Sequence, residues 1–213
     1  MADMNDDLVG YWKMNEKTGL VAYDSSGNGK SGSTSVNFSG RSVQGRVGSG
    51  AVSFATLASN NIYLPSLVIP ITFSLIGSVQ ISGNGNMYNS VISLFGGKYR
   101  QLVVTNTTNQ LEFYSDETNS RLYSTPLSLN IWYRVGVTCN GSTLKLYLNG
   151  IGEVINGTYT LQSITTTNTL LGGWTFPGFL NGALQECKIY KRCLSDVDML
   201  NDYNYTGKSG FFL

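Results

Sequence analysis

The tightest constraint on how this chain folds lies between Ile131 and Ile155, IWYRVGVTCNGSTLKLYLNGIGEVI. Two alternating apolar runs, Trp132 to Cys139 and Thr143 to Leu148, are separated by Asn140-Gly141, the dipeptide that best tolerates the two positive-φ positions of a type I′ turn. That pattern predicts an antiparallel hairpin. Asn149-Gly150 repeats the signal and predicts a third strand returning through Val154 and Ile155. Strand side chains alternate faces, so Val135, Val137 and Cys139 share one face with Leu144, Leu146 and Leu148, the expected core. Trp132, Arg134, Thr138, Thr143, Lys145 and Tyr147 point the other way and make a half-polar surface that water or a ligand has to cover.

The same rhythm of short strands and polar turns runs through the rest of the chain. Leu8 to Met14, Ala51 to Phe54, Ile62 to Leu64 (ended by Pro65), Phe73 to Ile81, Val91 to Phe95 and Ala183 to Tyr190 all read as strands, and Leu102 to Thr105 pairs with Leu111 to Ser115. The one good helical pattern is LSDVDMLNDY, with Ser195 as cap, Asp196 and Asp198 at the positive N-terminus, and Val197, Leu200 and Tyr203 as the packing face. The expected fold is all-β, a two-sheet antiparallel jelly-roll sandwich with one short C-terminal helical segment. Residues 8–205 make a single domain between tails at 1–7 and 206–213.

Composition narrows the function. Charged residues are 13% of the chain and the formal net charge is +1, so the basic patch that nucleic acid or an anionic membrane requires is missing. With no His, every Ser-His, Cys-His and His-metal chemistry is excluded. Cys139, Cys187 and Cys193 are an odd number and read as small hydrophobes, with a Cys187–Cys193 bridge left open. The opening MADMNDDLVGYW has no basic-then-apolar leader, and no run reaches transmembrane length. Abundant Asn, Ser, Thr, Gly and Tyr suit neutral polar partners such as sugars. The turn Asp24-Ser25-Ser26-Gly27-Asn28-Gly29 can hold a hard cation, or stand as an Asx-stabilised turn with no ion.

Four segments in order, GYWKMNEKTGLVAYDSSGNGKSG, GRVGSGAVSFATLASNNIYLP, NIWYRVGVTCNGSTLKLYLNG and FLNGALQECKIYKRCLS, resemble the laminin G-like, concanavalin A-like lectin/glucanase jelly roll of bacteria and viruses. The resemblance covers Leu8 to about Tyr203. It implies the sandwich fold and, for function, anything from lectins and adhesion modules to glycosidases. Where relatives commonly carry acidic residues this chain has Ala55, Asn61 and Leu184-Gln185-Glu186. The resemblance therefore implies at most a weakly held calcium ion, at Asp24, Asn28 and Glu186, and no required cofactor. The Glu-x-Asp-x-x-Glu run of the family's glucanases is missing. Glu112, Asp116 and Glu117 do not supply a same-face carboxylate pair in its place, so no enzyme is expected.

Recognition remains. As a lectin-like module, the chain would stack sugars on aromatics outside the core. The candidates are Trp174 and Phe176 in WTFPGF, Tyr99 with Arg100 after Gly96-Gly97, and Tyr147 on the outer face of the meander. Trp174 is the strongest single residue. The competing reading is a structural part of a viral particle (fibre, tail or capsid decoration), self-associating through the tail GKSGFFL with its Phe211, Phe212 and Leu213, and so placed on a virion surface or outside the cell.

Overall fold

The computed structural model describes residues 7–48, 50–55, 60–84, 88–117, 120–153, 160–174 and 178–207. In chain order the strands are β1 (Leu8–Trp12), β2 (Val21–Ala22), β3 (Gly32–Ser33), β4 (Ser42–Val43), β5 (Ala51–Phe54) and β6 (Ile62–Leu64). Next come β7 (Val68–Ile69), β8 (Thr72–Ile81), β9 (Tyr88–Phe95), β10 (Tyr99–Thr105), β11 (Gln110–Ser115) and β12 (Ser120–Pro126). The last are β13 (Trp132–Asn140), β14 (Leu144–Leu148), β15 (Ile151–Glu153), β16 (Ile164–Thr165), β17 (Asn168–Leu171) and β18 (Gly182–Tyr190), followed by the helix α1 (Asp196–Gly207).

These strands form two large antiparallel sheets packed face to face. One runs β15-β14-β13-β8-β18-β5-β4, with β1 also paired to β18, and the other runs β12-β11-β10-β9-β17-β6-β3-β2. The core between them includes Trp12, Phe54, Phe73, Leu75, Ile92, Leu94, Leu102, Phe113, Val135, Val137 and Leu146, all buried. Each strand of the pairs Val135↔Leu148, Val137↔Leu146 and Cys139↔Leu144 contributes the residues the alternation predicts.

The turns differ in detail from the sequence expectation. At the first hairpin only Gly141 has positive φ (103°), and the Asn140 Oδ1 accepts from the backbone N–H groups of Ser142 and Thr143 at 3.1 and 2.8 Å. Asn140 thus caps the turn with its side chain and stays in the strand. The type I′ signature belongs to the second hairpin, where Asn149 and Gly150 have φ of 53° and 80° and join β14 to β15. The third strand ends at Glu153; Val154 and Ile155 lie outside the described residues. All three cysteines are free, and burial raises the Cys187 thiol to about 12.

The helix starts where the sequence places it. Ser195 Oγ accepts from the Asp198 N–H at 3.1 Å while Asp198 Oδ2 accepts from the Ser195 N–H at 3.0 Å, a reciprocal capping box. Its packing face is a correction, since Val197 and Leu200 are exposed and the buried positions are Met199 and Asp202. Gly136 opens the slot for Met199, whose Cε lies 2.6 Å from where a Cβ at 136 would sit. Asp202 is drawn inward by charge: its Oδ2 accepts from Arg134 Nε at 2.6 Å and its Oδ1 from Lys188 Nζ at 2.7 Å. Burial opposes ionisation of Asp202, but the two cations outweigh it and hold the carboxyl at about 2. The half-polar outer face of β13 and β14 is thereby covered by the chain's own helix.

Candidate functional site

That covering removes one expected site residue. Tyr147 is 2% exposed, packed with Ile76, Tyr190, Leu194 and Met199 beneath α1, and its hydroxyl donates to Asp196 Oδ1 at 2.6 Å. Burial, then the bond to Asp196, raises its phenol. It fastens the helix and presents nothing to a ligand.

Arg100 is the second correction. In β10 it shares the inward face with Leu102 and Val104, and it is fully buried. Its Nε donates to Glu117 Oε2 at 2.7 Å and its Nη2 to Glu117 Oε1 at 3.1 Å and to the Gln162 carbonyl. Its guanidinium also lies over the Phe73 ring, so the donors that would read sugar hydroxyls are spent inside the sandwich.

Tyr99 and Trp174, distant in sequence, come together. Tyr99 is directly opposite Phe95 across β10 and β9, and their rings stack with centroids 4.4 Å apart. Trp174 meets the Tyr99 ring edge-on, centroids 5.6 Å apart at 85°. All three are half-buried. Phe176 lies outside the described residues.

Two pairs of glycines build this corner. At Gly172, φ is 76° and a Cβ would run into the Phe54 ring; at Gly173 it would run into the Asn61 amide. Trp174 therefore leaves β17 on a backbone pressed against the sandwich. At Gly96 a Cβ would strike the Thr165 carbonyl, while Gly97 takes φ of 76° to turn the β9–β10 hairpin. The hairpin tip lies flush against the segment before β17, where the Thr167 N–H donates to the Phe95 carbonyl at 2.7 Å.

The face continues inward as a polar row. Gln101, two residues from Tyr99 on the same side of β10, pairs with Ser93, which in turn is opposite Leu170 of β17. The Gln101 amide nitrogen and the Trp174 indole nitrogen are both shielded from solvent and have no hydrogen-bond partner among the described residues. Buried donors are rarely left so, because each costs about 1–3 kcal/mol.

The expected ion-binding positions are engaged otherwise. Asp24 Oδ1 accepts from the N–H groups of Tyr11 and Ser26 at 3.0 and 2.8 Å, and Oδ2 from the Lys30 N–H at 2.8 Å. Partial burial works against the Asp24 carboxylate, but the bonds from Ser26, Tyr11 and Lys30 prevail and lower its pKa. Asn28 turns its NH2 toward the Leu8 carbonyl at 2.7 Å. Glu186 sits at a bulge of β18 with φ of 55° and accepts from the Tyr11 hydroxyl. Gln185 donates to the carbonyls of Val47 and Gly50, each at 2.8 Å. Among the described residues no three His, Cys, Asp or Glu side chains gather around one point.

Two broad antiparallel sheets closed on one core define a jelly-roll β-sandwich. The chain belongs to the Concanavalin A-like lectin/glucanases superfamily, whose laminin G-type family model matches residues 58–198. Comparison with curated protein sequences finds no match. Among solved structures, the binding domain of Paraclostridial Mosquitocidal Protein 1 aligns with a TM-score of 0.73 at 16% identity, over 95% of this chain and 53% of that one. Domain 4 of AbnA, a GH43 extracellular arabinanase from Geobacillus stearothermophilus solved in complex with arabinotriose, aligns with a TM-score of 0.68 at 17% identity, over 92% of this chain and 97% of that one. Trypanosoma rangeli sialidase aligns with a TM-score of 0.68 at 12% identity, and this chain spans 34% of its length. The chain thus spans about half of the first of these proteins and a third of the last. At such identities the likeness is one of fold.

Proposed function

We propose that the chain is a non-catalytic, lectin-like recognition module that binds surface carbohydrate at the Phe95–Tyr99–Trp174 corner. The observation that carries this reading is the half-exposed Trp174 standing edge-on to Tyr99 on a rigid Gly172-Gly173 support. A preset aromatic wall costs little to order when a sugar face stacks on it. Beside the wall, Gln101 and Ser93 carry the same face on as a polar row. The arabinotriose bound by the AbnA domain supports the same reading for a sandwich that matches over nearly its whole length.

No metal is required, because Asp24, Asn28 and Gln185 already serve as structural hydrogen-bonding groups. Nor is catalysis proposed. Glu117 is partly buried, yet its bonds to Arg100 and Gln162 lower its pKa, the opposite of what a general acid needs. Asp116 uses Oδ1 to hold the Tyr99 N–H at 2.9 Å.

Binding of fluorescent protein to an immobilised glycan array, compared with Trp174→Ala, tests the proposal. The variant is expected to lose about 1–3 kcal/mol of affinity and no more than about 1 kcal/mol of stability. A stability loss of about 3–5 kcal/mol would mark Trp174 as a packing plug. A second reading, a component of a larger assembly such as a viral particle, is favoured by the exposed apolar side chains of Val197 and Leu200 in α1 and Ile151 in β15. The tail residues Phe211, Phe212 and Leu213 lie outside the described residues. The mass of the protein in solution separates the two.

A further inference from the structure

A polar residue that the sequence did not single out shares the aromatic corner. Asn168, first residue of β17, is directly opposite Phe95 of β9, which is itself directly opposite Tyr99 of β10. Residues paired in this way direct their side chains to the same face. Asn168, Phe95 and Tyr99 therefore form one row across three strands, spanning about 10 Å. Trp174 meets the row at Tyr99, edge-on, and Asn168 stands at the β17 end. Asn168 is half-exposed, and its side-chain amide has no hydrogen-bond partner among the described residues. Phe95, half-buried between them, is the floor.

We propose that Asn168 is the specificity-determining residue of this corner, reading adjacent hydroxyls of a neutral sugar ring that lies on Phe95 against the Tyr99–Trp174 wall. The inference rests on the glycan-recognition reading above. An Asn amide supplies two donors and one acceptor at a fixed spacing, while a ring carbon bearing a hydroxyl supplies one donor and two acceptor lone pairs. Two neighbouring hydroxyls can therefore engage the oxygen and the NH2 of one amide together, and only in the stereochemistry that points both toward it. The aromatic wall tolerates any sugar face, so choice among epimers falls to the amide. The contacts of Gly96 with Thr165 and of the Thr167 N–H with the Phe95 carbonyl hold β17 against the hairpin, so Asn168 is set at a fixed distance from the floor.

Isothermal titration of wild type, Asn168→Ala, Asn168→Asp and Trp174→Ala with cellobiose, lactose and arabinotriose tests this, with thermal melts as control. Asn168→Ala should weaken binding of the preferred sugar about threefold to tenfold, compress the spread of affinities across the three sugars, and leave the melting temperature unchanged. Asn168→Asp, which keeps acceptors and loses both donors, should also reorder the three sugars. If Trp174→Ala loses binding while Asn168→Ala keeps both affinity and spread, the role of Asn168 is refuted and the recognition reading stands. If wild type binds none of the three, or Trp174→Ala binds as wild type does, the recognition reading falls and this inference with it.

Discussion

Replacing Asp202 by Asn tests how α1 is held over the sheet. Asp202 is 1% exposed and its two oxygens face Arg134 Nε at 2.6 Å and Lys188 Nζ at 2.7 Å. Arg134 is itself 2% exposed and also donates to Ser78 Oγ at 3.2 Å and to the Glu186 carbonyl at 2.6 Å. Removing the carboxylate leaves two buried cations without their counter-charge, which costs about 3–5 kcal/mol. At about 2–4 °C per kcal/mol for a chain of this length, Tm should fall by about 6–20 °C. The exposed pair Lys145–Asp196 is the internal control, and Asp196→Asn should cost no more than about 1 kcal/mol. Because the Asp202 carboxyl lies at about 2 against an ordinary 3.8, its stabilisation is complete above the ordinary aspartate range and disappears as pH falls through about 2. The gap between wild type and Asp202→Asn in urea melts should therefore shrink by about 2 kcal/mol between pH 4 and pH 2. A variant within 1 kcal/mol of wild type at pH 7, or a gap that does not change with pH, would refute the clamp.

A chelator should leave Tm unchanged, whereas an ion bound at a hundredfold excess over its Kd would add about 2.7 kcal/mol, or about 5–11 °C; a drop of that size in chelator would restore a metal to the account. Incubation with neutral oligosaccharides should release no product, and turnover that vanishes in Glu112→Gln or Asp116→Asn would overturn the non-catalytic reading.

The local patterns carried most of the fold. Alternation placed Val135, Val137 and Cys139 opposite Leu148, Leu146 and Leu144, and the Ser195–Asp198 box marked the start of α1. What the sequence did not show is which element covers which face. Tyr147 does point outward from the core, but only the fold reveals that α1 lies on it. The inward face of α1 is not legible in the sequence because its central contact is an ion pair, and apolar periodicity has no signal for Asp202. Arg100 could have been excluded, since it alternates in phase with Leu102 and Val104. Phe95 and Asn168 become neighbours only through the pairing of β9 with β17, a contact between distant segments that no local motif announces.

The most direct measurement follows the indole N–H resonances in a two-dimensional nitrogen–proton NMR titration with the sugar bound most tightly. The Trp12 indole already donates to the Lys30 carbonyl at 2.9 Å in the core, and the Trp174 indole has no acceptor among the described residues. A ligand stacked at the corner should shift the Trp174 resonance in proportion to saturation, through contact with its ring, and leave Trp12 unmoved. Saturable binding that leaves the Trp174 resonance in place would contradict the site.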